Sequence, residues 1–487
     1  MNKLESTTRS PVYLLAWIPV LGIALTLMAM TDSKLGGVLA PLLAACAIST
    51  LFWRALTLRD QGLPIFDVGA FFMLAIAAYA VLPLAGYALS GMQLSSLSAG
   101  RLYGLNPEPE QFAEVGWMYV MLMTTFALGY LAWRRQTLVG NEPVATSRTT
   151  AIVVIVLWLL LHGVVIFFRV ALGVNFSVAY DDSLYAAAAS YAQLPLLARQ
   201  LFHNAYGVLI ILNVAIIVVL VAHWKSKLGR NVLFVWVAAS CVDYLLNPGG
   251  RFALLSMLIA FAMAFHRFVR PIKISQLVFA GALLFLAFMA AGFARGGRSL
   301  LEQGQVMFDL LEGYQYAFTV SDEFQISYGS VLEFKQNLRH GVLDPIPWQI
   351  YASDLLMPIP QQILPFEKLD PVDWYSRVTG NPDYFSFGVL AQSVLGFGWA
   401  ELALRGLLFG IALGIVHNWW ARKPYTLWRT VFYVWLTIVS YQAVRNTSLY
   451  LVPLVVYRFL PLLLVVHVAE WLVEGAATSR PRPRGLD

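Results

Sequence analysis

Predominantly apolar runs of roughly 20 residues recur along this chain, each long enough for a helix to cross a hydrocarbon core about 30 Å thick. They fall near 11–30, 37–57, 65–90, 115–133, 150–172, 203–222, 231–247, 252–268, 274–294, 396–418, 428–444 and 448–472. Composition points the same way: 59% of the 487 residues are hydrophobic and only 12% are charged, outside the balance of a soluble globular domain. The expected fold class is all-α, a polytopic integral membrane protein with about twelve transmembrane helices.

The first run, Pro11 to Met30, is too long for the apolar region of a signal peptide, and Thr31-Asp32-Ser33-Lys34 follows it in place of a small-residue cleavage site. It reads as an uncleaved anchor. Cys46 and Cys241 both fall inside expected spans, where a thiol acts as a small apolar side chain, so neither a disulfide framework nor a metal site is expected. The net basic charge of +6 does not cluster on a soluble surface with interleaved aromatics, and no nucleic-acid partner is expected.

Topology accounts for the basic residues. Alternate loops carry Lys3 and Arg9, then Arg54 and Arg59, Arg134, Arg135 and Arg148, Lys225, Lys227 and Arg230, Arg267, Arg270 and Lys273, Arg422, Lys423 and Arg429, and Arg480, Arg482 and Arg484. Lysine and arginine bias marks that set as cytoplasmic, which places both termini inside. The opposite loops hold most of the acids, among them Asp32, Glu108, Glu110, Glu114, Asp181 and Asp182. The chain then reads as residues 1–294 with nine spans, a large periplasmic loop over 295–396, and residues 397–487 with three spans and a cytoplasmic tail.

That loop is large enough to build a site. Leu300, Leu301, Val306, Met307, Leu310 and Leu311 recur at helical spacing with acids between them, as an amphipathic interfacial or packed helix requires. Farther on, Pro345, Pro347, Pro358, Pro360, Pro365 and Pro371 stand among Trp348, Tyr351, Phe366, Trp374 and Tyr375, a mixture suited to an ordered loop near lipid headgroups. A shorter amphipathic stretch covers Ala179 to Arg199.

Arginines mark the outer ends of several runs: Arg251 in Asn247-Pro248-Gly249-Gly250-Arg251, Arg295 and Arg298 in Ala294-Arg295-Gly296-Gly297-Arg298, and Arg445 in Val444-Arg445-Asn446. Paired glycines permit a tight turn there, and Arg251 stands where a helix begins and free N–H groups favour an anion. Guanidinium forks bind phosphate in a bidentate manner, so a lipid-linked diphosphate fits such a set. Snorkelling to headgroups is the structural alternative. Asp322 and Glu323, in Thr319-Val320-Ser321-Asp322-Glu323, are the leading general-base candidates, with Glu333 and Asp383 behind them; loop carboxylates also serve as solvated charges or caps. Asp243, inside a run, reads as a partner for one of the arginines. Glu401 and Arg405 have the i,i+4 spacing of an intrahelical ion pair. The seven histidines are scattered, and Glu108-Pro109-Glu110 is a weak cation motif, so no metal is expected.

Taken together, Gly249-Gly250-Arg251, Ala294-Arg295-Gly296, Ser321-Asp322, the stretch from Asn381-Pro382-Asp383-Tyr384 to Phe385-Ser386-Phe387-Gly388, Gly396-Phe397-Gly398, and Arg445 and Arg458 resemble the Wzy family of oligosaccharide repeat-unit polymerases. The resemblance covers roughly residues 230–465; Glu401 and Arg405 depart from the all-apolar stretch expected after Gly398. It implies a metal-independent, membrane-embedded glycosyltransferase of GT-C-like architecture in the bacterial inner membrane, without a cofactor. Donor and acceptor would both be undecaprenyl-diphosphate-linked oligosaccharides, among membrane lipids, and a chain-length-determinant protein is a partner the resemblance leaves open. Carried over by position, Arg251, Arg295 and Arg445 would contact diphosphate or saccharide with Arg298 beside them. Asp322 would be the base with Glu323 second, and Arg377 and Tyr384 would touch sugar. The rivals are an O-antigen ligase delivering glycan to lipid A core, a metal-dependent mannosyltransferase-like enzyme, and a polysaccharide or lipid transporter.

Overall fold

The computed structural model describes residues 33–60, 64–89, 92, 108–135, 147–171, 195–246, 251–273, 275–277, 279, 281, 322–356, 359, 361–369, 371–379, 388–422, 426–446 and 450–478. Among the described residues the chain is helical and has no β-strand. In chain order the helices are α1 (Ser33–Asp60), α2 (Val68–Leu89), α3 (Pro109–Trp133), α4 (Arg148–Ala171), α5 (Leu196–Ala222), α6 (Lys227–Leu246), α7 (Arg251–Phe268) and α8 (Asp322–Arg339). There follow α9 (Trp348–Leu355), α10 (Pro371–Thr379), α11 (Gly388–Leu395), α12 (Trp399–Trp420), α13 (Leu427–Val439), α14 (Gln442–Arg445), α15 (Leu451–Leu454), a π turn at Val455–Phe459 and α16 (Leu460–Thr478).

Among the described residues six stretches are long and apolar enough to cross a membrane: Lys34–Asp60, Val68–Ala88, Pro109–Trp133, Thr149–Phe168, Trp399–Trp420 and Leu451–Leu472. Gly207–Ala222 and Leu255–Phe268 are shorter apolar helices. The expected span at 11–30, most of that at 274–294, the amphipathic helix at 300–319 and most of the stretch at 179–199 lie outside the described residues.

The chain divides into two compact units: Met1–Val139, Leu300–Trp419 and Val439–Val452 form the first, and Gly140–Ser299, Trp420–Ile438 and Pro453–Asp487 the second. In the first unit α1, α2 and α3 pack against one another, around Phe52, Phe72, Phe126 and Tyr130. Helix α12 approaches α3 across Gly406, Gly410 and Gly414, spaced four apart on one face. A Cβ on Gly410 would overlap the Phe126 carbonyl and the Tyr130 amide, so these glycines bring two backbones to a distance no larger residue allows.

One end of this bundle is held by buried charge. Asp67 caps α2, accepting from the Ala70 amide at 2.9 Å, and it also accepts from the Tyr130 hydroxyl and the Arg134 Nε, each at 2.8 Å. The Arg134 guanidinium reaches on to Asp60, its Nη1 to Oδ1 distance being 2.9 Å, and His417 Nδ1 lies 3.5 Å from Asp67 Oδ2. The ends of α1, α2, α3 and α12 on this side are thereby tied by a cluster in which each charge has a partner, the condition under which buried ions are tolerated.

Helix α8 belongs in sequence to the long segment before α12, and its residues are too polar to count as a span. Its buried face nevertheless runs along α2 and α3: the Tyr328 hydroxyl donates to the Ala80 carbonyl at 3.1 Å, and the Tyr119 hydroxyl donates to Ser327 Oγ at 3.0 Å. Rings of Tyr87, Phe112, Tyr328 and Tyr119 stack in succession. Lys335 pairs with Glu114 near the opposite end of α3 from Arg134. At 1.5 Å per residue, Ala80 is about 18 Å from the Val68 end of α2, so Tyr328 meets that helix near its middle. The backbone of Asp322, six residues earlier, continues about 9 Å toward the end that holds Arg134. Polar helices at such depth persist only when protein surrounds them.

In the second unit α4 packs on α5, α5 on α7, α6 on both α5 and α7, and α16 on α4. Trp158 donates to Asn213 Oδ1 at 2.8 Å and its ring meets Trp236. Thr150 donates to Glu470, joining α4 to α16. The Arg267 guanidinium lies over Trp420, which stacks on Tyr433.

Candidate functional site

Arg251 is the first residue of α7, and Asp322 and Glu323 open α8; for these three the backbone alone is described. Arg295, Arg298, Tyr384, Asp383 and the glycines Gly249 and Gly250 lie outside the described residues. Arg377, on α10, is exposed, and its Nε donates to the Asp373 carbonyl at 3.3 Å. Arg445 ends α14 and is half-buried. Arg458 sits in the π turn and lies across Gly207 of α5, where a Cβ would collide with it.

Within the first unit the elements that carry Asp322, Glu323 and Arg445 belong to one cluster. Helix α8 packs on α11, and α11 packs on α14. Gly388 opens α11 with a φ of +62°, a left-handed conformation that glycine adopts without strain, beside the carbonyls of Val444 and Arg445. Arg251 and Arg458 belong to the second unit.

Glu333, a further base candidate from the sequence, is the acid on α8 with a legible environment. Its carboxyl is hydrogen bonded by the Tyr375 hydroxyl, while burial pushes its pKa above the ordinary carboxylate range. The other oxygen, Oε2, is buried and accepts no hydrogen bond from the described residues. Tyr375 is itself fixed: it is buried, its ring packs on Phe334 at 4.3 Å, and the Asn337 amide approaches its hydroxyl at 3.4 Å. A carboxyl held on one side and bare on the other is suited to receiving a proton.

Glu401 and Arg405 form the ion pair their spacing predicts, with Nη2 to Oε1 at 2.6 Å. Glu401 does more than that. Its Oε2 accepts from the Tyr351 hydroxyl at 2.7 Å and from the Phe397 amide at 2.9 Å, so it closes the first turn of α12. A side chain on Gly396 would collide with that carboxylate and with Tyr351, which accounts for glycine in Gly396-Phe397-Gly398. The Tyr351 pKa is driven up by burial and by the carboxylate it serves. These groups are mutually satisfied and structural.

Asp354 and Gln392 are a pairing the sequence reading did not single out. Both are buried, and Gln392 Nε2 donates to Asp354 Oδ2 at 2.8 Å, fastening α9 to α11. Nothing in the order of residues marks them as partners. Asp67, by contrast, stands directly before an apolar run, as a capping residue does. Glu108-Pro109-Glu110 proves to be a helix start, with Pro109 in the first turn of α3 and the Glu108 amide donating to Gln111 Oε1 at 3.1 Å.

No protein-family model, curated protein or solved structure matches the chain.

Proposed function

We propose that this chain is a membrane-embedded glycosyltransferase that polymerises polyprenyl-diphosphate-linked oligosaccharide repeat units in the bacterial inner membrane, in a site entered from the non-cytoplasmic face that extends along α8 past the middle of the bundle. The reading is carried by one helical cluster: α8 begins with Asp322 and Glu323 and bears Glu333, it packs on α11, and α11 packs on α14, which ends with Arg445. Carboxylates and a guanidinium on helices joined through α11 are the pair of functions that glycosyl transfer from a diphosphate requires.

In this reaction the bond from the anomeric carbon of the growing glycan to its diphosphate breaks, and a bond from that carbon to an acceptor hydroxyl forms. The hydroxyl proton passes to a carboxylate of α8, and the electron pair leaves with the lipid diphosphate. Arg445 neutralises the charge that develops on the leaving group. Arg377 and Tyr384 are the proposed sugar contacts. Purified chain in liposomes with a lipid-linked repeat unit should yield a series of longer glycans; label crossing the bilayer without lengthening would contradict the proposal.

A transporter is the second reading, favoured by two observations. Helix α13 stops at Val439 and the chain resumes helix only at Gln442, an interruption of the kind that lines carrier pathways. Helix α8 also brings polar residues to the middle of α2 and α3. The liposome experiment separates the two readings.

A further inference from the structure

Helix α9 is inside-out. Its buried face holds Ile350, Ser353 and Asp354, and Asp354 is fastened to Gln392 of α11. Its open face holds Trp348 and Leu355, seven residues apart and 62% and 69% exposed. A helix facing water keeps its polar groups outward, and the informative exceptions are buried polar groups beneath exposed apolar ones.

The described part of the segment after α9 also holds apolar side chains outward, beside exposed Gln361, Gln362 and Glu367. A 3₁₀ turn at Gln361–Ile363 is pinned by Gln361, whose Nε2 donates to the Phe366 carbonyl and whose Oε1 accepts from the Lys368 amide, both at 2.8 Å. The Leu369 amide donates to Ser353 Oγ at 2.8 Å, returning the segment to α9, and Phe366 meets the Trp348 ring at 5.5 Å. Ile359 and Ile363 are exposed beside this turn.

Tyr351 joins this platform to the start of α12: its hydroxyl bonds Glu401 and its ring lies 6.2 Å from Phe397. Phe397 and Trp399 are exposed there, and the open face continues down α12 through Leu404, Leu407 and Leu408. That lower face belongs to a helix long and apolar enough to cross a membrane. The apolar surface of the platform is therefore continuous with a surface that faces lipid, and its aromatic residues sit where such helices meet the headgroups.

We infer that α9, Ile359 and the turn at Gln361–Ile363, together with Phe397 and Trp399, form a membrane-seated platform whose apolar face lies among the lipids at the boundary where α12 begins. The occupant of that face is the bilayer. Such a seat fixes the level of α11, and with it the α8–α11–α14 cluster, relative to the headgroups, whatever chemistry the cluster performs.

The test uses the full chain, with Cys46 and Cys241 replaced by alanine, reconstituted in phosphatidylglycerol and phosphatidylethanolamine vesicles. Single cysteines at Leu355, Ile363 and Phe397 carry a nitroxide, and one at the exposed Glu367 serves as the aqueous reference. Collision rates with oxygen and with a water-soluble nickel chelate are then compared. Oxygen should dominate at 355, 363 and 397 and the chelate at 367, an inversion of the ratio across a few residues. Chelate dominance at 355 and 363 would place the face in water, and exclusion of both reagents would mean that protein covers it. Either result overturns the inference.

Discussion

Helices α4 and α8 are built on opposite plans. Helix α4 is apolar nearly all round and leaves Ile152, Ile155, Leu159, Leu160 and Phe167 open. Helix α8 is polar enough to be mistaken for an aqueous loop, yet Ser327, Tyr328, Ser330, Val331 and Phe334 are buried. The difference teaches that hydropathy reports what a helix touches and not how deep it lies. Lipid asks for aliphatic side chains and little else, whereas a helix enclosed by protein can carry hydroxyls and carboxyls if each finds a partner.

The sharpest way to break that contrast is at the ionic cluster that closes the end of the bundle into which α8 descends. Arg134→Ala would leave Asp60 and Asp67 buried without their cation, and should cost about 3–5 kcal/mol in thermal unfolding of detergent-solubilised protein. Gly410→Val, which forces α12 off α3, should cost about 1–3 kcal/mol by the same measurement. Tyr328→Phe removes the hydroxyl that donates to the Ala80 carbonyl, for a loss of about 1 kcal/mol.

A pH series sharpens the comparison at Glu333. Its folded pKa is raised, so the folded state favours the protonated carboxyl. Below the unfolded value the group costs nothing; stability falls as pH rises through the window from the ordinary carboxylate range to the raised folded value, and stays lower above it. Glu333→Gln should abolish that decline when unfolding is followed from pH 4 to pH 8. At the far end of the scale, Leu160→Ile on the open face of α4 should change stability by less than about 0.5 kcal/mol.

How much of this was legible follows from the same contrast. Apolar runs at 37–57, 65–90 and 396–418 correspond to α1, α2 and α12 within a few residues, because lipid contact leaves a local compositional trace. The Glu401–Arg405 pair was legible because both partners stand on one helix. The run read over 428–444 hides the stop at Val439, which no proline or glycine announces. The depth of α8 was not legible. It depends on Tyr119 and Ala80, hundreds of residues away, and a serine or tyrosine looks the same in sequence whether it meets water or a carbonyl. For the same reason Glu333 could be named from its residue type, while Tyr375, which holds it, could not.

The most direct test of the account is the length profile of surface polysaccharide, resolved on a gel, in a strain lacking this chain and complemented at matched protein levels. Wild type should restore a ladder, and Arg251→Ala, Asp322→Asn or Arg445→Ala should collapse it to single repeat units. Lipid-carried polymer of normal length in the uncomplemented strain would point to a ligase instead, and a ladder unchanged in every strain would contradict the account.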